Sequence, residues 1–123
     1  MAVHLNHTIV ASRDKVASSE FLAALLGLAA PKRVSHFMAL ELANGVTMDY
    51  DDVDHVTPQH FAFLVTEAEF DAIFLRVEAS AIRFFADPNH GVAGAINHRN
   101  GGRGFYFSDP DGHNLEVFTV PPL

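Results

Sequence analysis

The sequence predicts an α+β fold in which one βαβββ module occurs twice. Three observations carry that prediction. A turn pair followed, after three residues, by a carboxylate appears in both halves, as Asn44-Gly45-Val46-Thr47-Met48-Asp49 and as Asp111-Gly112-His113-Asn114-Leu115-Glu116. Each half opens on a strand-like segment with one histidine, Asn6-His7-Thr8 and Gln59-His60-Phe61. Between that segment and the turn, each half carries a stretch whose apolar residues recur at helical spacing.

The elements follow in order. His4 to Val10 reads as a strand, and Ser12 or Asp14 can open the helix after it. Val16, Phe21, Leu22, Leu25 and Leu26 form that helix's apolar stripe, and Gly27 suits its left-handed C-terminal position. Pro31 breaks the chain. Phe37 to Leu42 and Val46 to Asp51 are strands joined by Ala43-Asn44-Gly45, a hairpin signal. Residues 51–58 are polar and turn-rich and read as a linker. In the second half Gln59 to Val65 is a strand, and Thr66-x-x-Glu69 is a capping box opening a helix with Phe70, Ile73, Phe74 and Val77 on its stripe. Ile82 to Ala86 is a strand, 87–102 a long Gly/Asn/His loop, and Gly104 to Ser108 and His113 to Val120 are strands around Asp109-Pro110-Asp111-Gly112. The expected organisation is one domain over 1–123, with a first module at about 1–52 and a second at about 58–121.

Composition narrows the function. A chain of 123 residues can bury one core without staples. With eight Lys+Arg and a net charge of −7, it is not built to bind a phosphate backbone, so no nucleic-acid partner is expected. No apolar run reaches the roughly 18 residues of a spanning helix, so no membrane partner is expected either. No secretory signal is visible, which makes cytoplasm the expected location. Zero cysteines exclude disulfides and thiolate metal sites.

Strand parity places the candidate site. Met48 and Tyr50 share one strand face, and Thr47, Asp49 and Asp51 the other; Leu115 and Val117 oppose Asn114, Glu116 and Phe118. Phe61, Phe63 and Val65 oppose His60, Ala62 and Leu64. In each case the mainly apolar set can pack under a helix while the histidine or carboxylate points away. Two histidines and two carboxylates related by the repeat, His7, His60, Asp49 and Glu116, would make a hard-cation site if they met at a pseudo-twofold axis.

These residues resemble the vicinal oxygen chelate superfamily of glyoxalase I, fosfomycin-modifying enzymes, extradiol dioxygenases and bleomycin-resistance proteins. The resemblance rests on Leu5-Asn6-His7, Leu25-Leu26-Gly27-Leu28, Gln59-His60-Phe61-Ala62-Phe63 and the run from Phe105 to Glu116. It implies paired modules curving into a partly open barrel-like sheet around a metal cavity, and a homodimer whose chains exchange modules. It also implies a divalent metal held by His7, His60 and Glu116, with Asp49 as a fourth ligand or a base. Tyr106, ten residues before Glu116, stands where some members keep a functional tyrosine. Two departures matter. Ile9 replaces a substrate-contacting threonine of the fosfomycin thiol transferases, and loop 87–102 is long enough to reshape the cavity.

Two imidazoles and a carboxylate leave coordination positions open and suit Fe, Mn, Ni, Co or Zn. The expected function is therefore a metal-dependent enzyme acting on a small oxygen-bearing molecule that chelates the metal. Lyase or isomerase chemistry and Fe(II)-dependent dioxygenase chemistry both remain open, with Tyr106 and Asp49 as catalytic candidates. The rival is a metal-free protein that binds a drug or natural product, as bleomycin-resistance members do. Among the other histidines, His113 reads as structural, and His90 and His98 as solvent-exposed loop residues. Arg103 falls on the opposite parity from Tyr106, which favours a surface or helix-side role.

Overall fold

A computed structural model describes residues 2–123. The chain forms two compact units that divide after Thr57. The first holds β1 (His7–Ser12), α1 (Lys15–Leu26), β2 (Lys32–Val34), β3 (Phe37–Glu41) and β4 (Thr47–Asp52). Its four-stranded sheet runs β1-β4-β3-β2, with β1 parallel to β4 and the other pairs antiparallel. The second holds β5 (His60–Leu64), α2 (Glu67–Ala79), β6 (Gly104–Ser108) and β7 (Asn114–Phe118), with a 3-10 turn at Arg99–Gly101. Its three-stranded sheet runs β5-β7-β6, β5 parallel and β6 antiparallel to β7. This is the α+β architecture of two related modules with mixed open sheets, and neither sheet closes into a barrel.

Local chemistry accounts for the helix limits. Asp14 caps α1 by accepting the Ala17 N–H, and Gly27 ends the helix at φ 70°. Thr66 and Glu69 form the reciprocal capping box on α2. The buried side of α1 differs from the expected stripe. Ser18, Ser19, Leu22, Ala23 and Leu25 are buried, whereas Val16 is exposed. Small residues let the helix lie close to its sheet, and the two buried hydroxyls are satisfied, with Ser12 Oγ donating to Ser18 Oγ at 2.9 Å and Ser19 Oγ to the Lys15 carbonyl at 2.6 Å. On α2 the stripe is as expected: Phe70, Ile73 and Val77 are buried, and Phe70 meets Phe105 edge to face at 5.4 Å.

Strand parity holds in both units. Met48, Tyr50, Leu115 and Val117 are buried, and Thr47, Asp49, Asn114 and Glu116 on the opposite faces are only partly so. One strand is not as expected. Ile82 to Ala86 is not a strand; Phe85 alone bridges, exchanging backbone bonds with Tyr106 at 2.9 and 2.8 Å. The next residue already turns away, because the Ala86 N–H goes to the Val92 carbonyl and the Asp87 carboxylate collects the Gly91 and Val92 N–H groups. Conversely, β2 is a strand of three exposed residues with no apolar alternation to announce it. Among the described residues no helix is long and apolar enough to cross a membrane.

Candidate metal centre

The two histidines and two carboxylates occupy matching places in the two sheets. His7 pairs with Thr47 and Ile9 with Asp49 across β1 and β4. His60 pairs with Asn114 and Ala62 with Glu116 across β5 and β7. In both units, then, the carboxylate lies two register steps beyond the histidine on the neighbouring parallel strand, and a two-residue step keeps a side chain on the same face. The third strand continues the correspondence, with Ala39 opposite Asp49 and Tyr106 opposite Glu116. The duplicated layout in the sequence is thus a duplicated layout in the sheets.

In the second unit these side chains converge. His60 Nε2 lies 3.0 Å from Glu116 Oε1, and the side chains keep 50% and 16% of their exposure. That separation fits two donor atoms sharing one cation at bonds of about 2.0–2.2 Å. The Tyr106 ring centroid is 6.0 Å from that of His60. Burial first, and then the Glu116 carboxylate, push the Tyr106 hydroxyl above its ordinary 10.0, while Arg99 pulls the other way. Tyr106 is therefore a neutral phenol at physiological pH. Its oxygen accepts a bond of 2.6 Å from Arg99 Nη1, and its own proton is directed to the Glu116 carboxylate.

In the first unit, exposed His7 holds Nδ1 2.8 Å from Asn6 Oδ1. An amide oxygen only accepts, so the contact suits the tautomer that carries its proton on Nδ1 and offers Nε2 as a donor atom. Metal-binding imidazoles are commonly oriented in this way. Asp49 is half-buried between Ile9 and Ala39 in register. The donor set of imidazole nitrogens and carboxylate oxygens therefore fits a divalent metal in type, and in the second unit also in spacing.

A second cluster of Asp109, Asp111 and His113 is buried, with potential donor atoms all within 4.8 Å of one another. The Asp109 and His113 side chains in it hold backbone N–H groups. Asp109 Oδ1 accepts the Asp111 and His113 N–H groups at 2.9 and 2.8 Å, and His113 Nδ1 accepts the Gln59 N–H at 2.9 Å. Burial raises the Asp109 carboxyl against the N–H bonds that lower it. His113 is structural, as its place in the turn suggests. His90 is not the solvent-exposed residue expected: it stacks on Phe85 at 4.3 Å, and its Nε2 lies 2.8 Å from Asn114 Oδ1. Arg103 does serve the helix, lying over the Phe70 ring and pairing with Glu67 and Asp71 at 2.9 Å each.

Beside Tyr106 and Glu116 the second unit contains a cavity of about 190 Å³, lined also by Asn97, Arg99, Phe118 and Val120. Sequence reasoning assigned no role to Arg99 or Asn97. They lie in a loop without periodicity, and only the folded chain brings them to Tyr106.

Comparison with known proteins identifies the family. Residues 4–117 match the family model of the Glyoxalase/Bleomycin resistance protein/Dioxygenase superfamily. The chain is 32% identical, over 95% of its length and 81% of the relative's, to a protein named glutathione transferase FosA from Serratia marcescens. Two solved structures named oxidase ChaP-H1 and oxidase ChaP-H2 superpose with a TM-score of 0.96 at 51% and 52% identity, covering 98% of this chain and 98% and 96% of theirs. The fold is shared at 22% identity with FosX from Mesorhizobium loti, with a TM-score of 0.72 over 99% of this chain and 96% of that one. The chain belongs to the glyoxalase/bleomycin resistance protein/dioxygenase superfamily.

Proposed function

We propose that this protein is a divalent-metal-dependent enzyme that acts on a small oxygen-bearing molecule, with His7, His60 and Glu116 as the metal ligands. The observation that carries this reading is the shared register of histidine and carboxylate in the two sheets, with His60 and Glu116 already 3.0 Å apart. The metal, when bound, supplies Lewis acidity toward a chelating pair of oxygens. The chain's own groups do the rest. Tyr106, neutral and with its oxygen held by Arg99, gives its proton or a hydrogen bond to an oxygen that gains negative charge. Asp49, one methylene shorter than glutamate, serves as the proton acceptor.

Oxygen chemistry is the favoured reaction class. Identities of 51% and 52% to two chains named as oxidases outweigh 32% to one named as a glutathione transferase. Ile9, in place of a threonine, also argues against thiol transfer to fosfomycin. The location inferred is the cytoplasm.

The test is protein purified without chelator and loaded anaerobically with Fe(II), Mn(II) or Zn(II). Metal content and oxygen uptake with a panel of catechols and other vicinal dioxygen aromatics are then measured. Stoichiometric metal and uptake confined to Fe(II) are expected, with His60→Ala losing both. A parent chain that binds no metal, or a His60→Ala variant that binds it equally well, overturns the reading in favour of a metal-free binding protein.

A further inference from the structure

We propose that Arg99 is the anchor for an anionic oxygen of the substrate, so that this cavity selects molecules bearing a carboxylate or an ionised phenol at one end. The proposal rests on the function proposed above only in taking this cavity as the substrate's. Two arginines line the cavity, and their surroundings differ. Arg103 is neutralised by Glu67 and Asp71 and covered by Phe70. Arg99, among the described residues, pairs with no carboxylate; its contacts are the Tyr106 hydroxyl at 2.6 Å and the Tyr106 ring at 5.5 Å. A planar guanidinium has five donors in a fixed fork. One bond to a phenol leaves the fork free to take two oxygens of an acid.

The loop holds Arg99 in place. Asn97 exchanges backbone bonds with Gly104 at 2.8 and 3.0 Å. Its side chain donates to the Ala86 carbonyl at 2.9 Å and accepts the Arg99 N–H at 3.2 Å. After the turn, Gly102 packs so closely that a Cβ there would stand 2.7 Å from Thr119 and Val120 side-chain atoms. The turn is thus pinned on one side to β6, the strand that carries Tyr106, and on the other to the residues that follow β7.

The rest of the lining says what the anion is attached to. Phe118, Val120 and Pro122 supply apolar lining, and Asn97, Arg99, Asn100 and Glu116 supply polar lining. A volume of about 190 Å³ is below the roughly 300–1,000 Å³ of whole-ligand pockets. The cavity therefore suits one end of a small molecule, an apolar ring carrying an acidic oxygen.

The experiment uses three probes on the full-length protein at about pH 8: 4-nitrobenzoate, 4-nitrophenolate and the neutral 4-nitrobenzamide. Binding is followed by ligand-observed NMR, with metal content measured on the same samples. The expected result is that at least one anion binds the parent chain more tightly than the amide and loses at least about tenfold affinity in Arg99→Met. Arg99→Lys should retain part of that affinity, and Arg103→Met should retain most of it. Which anion responds tells a carboxylate from a phenolate substrate. Anion affinity unchanged in Arg99→Met and Arg99→Lys, or equal affinity for amide and anions, overturns the anchor. Because metal content is read separately, Arg99-dependent binding without stoichiometric metal sinks the metalloenzyme reading alone. Stoichiometric metal without Arg99 dependence sinks the anchor alone.

Discussion

Tyr106 shows how its neighbours set the state of a single side chain. Burial and the Glu116 carboxylate raise its ionisation above 10.0, and the Arg99 guanidinium opposes them. In the interval between 10.0 and the folded value, the unfolded chain has lost a proton that the folded chain keeps. Stability therefore falls as pH rises through that interval. Arg99→Met removes the opposing cation, so the Tyr106 phenolate band should appear at still higher pH than in the parent. An ultraviolet titration checks this, with Tyr106→Phe identifying the signal, since Tyr50 is the only other tyrosine. Tyr106→Phe itself should keep the fold and any bound metal while lowering turnover by about 10²-fold or more. Asp49→Asn should likewise retain metal but lose about 10²-fold in turnover, as measured by metal analysis beside steady-state rates; loss of the metal would make Asp49 a ligand. The sequence pointed to these residues because strand parity and an internal repeat are visible in one dimension. Arg99 was not legible, because its meaning comes from the Asn97–Gly104 pairing that turns an aperiodic loop toward Tyr106. His90 was misread for the same reason: nothing near it in sequence announces its ring stacking on Phe85.

Elements with a local cause were the ones that could be read ahead. The box at Thr66 and Glu69 is written in four residues, and both of its bonds form, at 3.2 Å and 3.0 Å. Thr66→Ala removes the cap and should destabilise the protein by about 1 kcal/mol, lowering the thermal midpoint by several degrees. Its pH dependence has a definite sign. The Thr66 backbone and then its side chain hold the Glu69 carboxyl below 4.5. Stability from this contact is therefore present above 4.5 and lost as pH falls through the folded value, and the gap between Thr66→Ala and parent should narrow in acid. Elements that depend on partners were harder. β2 exists because β3 is there to pair with it; its own residues, Lys32, Arg33 and Val34, carry no strand pattern. Ile82 to Ala86 has the composition of a strand, but the turn collected by Asp87 takes the chain away after a single bridging residue, Phe85. The α1 stripe is as expected at Leu22 and Leu25, but close packing buries Ser18, Ser19 and Ala23 in place of the bulkier Val16.

At the scale of the whole molecule, each sheet ends on the strand that carries its histidine. β1 is an edge of the four-stranded sheet and β5 an edge of the three-stranded one. Both leave apolar side chains in water, with Ile9 on β1 55% exposed and Leu64 on β5 59% exposed. Bare edges with apolar side chains invite pairing, and soluble proteins ordinarily cover them. The observed means of blunting an edge, such as lysines or proline, are missing from His7–Ser12 and His60–Leu64. A second copy of the chain is the cover that a duplicated fold favours, because the two edges are already built alike and symmetric closure satisfies both at once. The expected outcome is a homodimer of about twice the 13.4 kDa chain mass in light scattering. Ile9→Lys and Leu64→Lys should each shift it toward monomer, and metal occupancy should fall in parallel if ligands from two chains share one site. A strictly monomeric parent that still binds stoichiometric metal would rule out the exchanged arrangement and leave His7, His60 and Glu116 to act within a single chain.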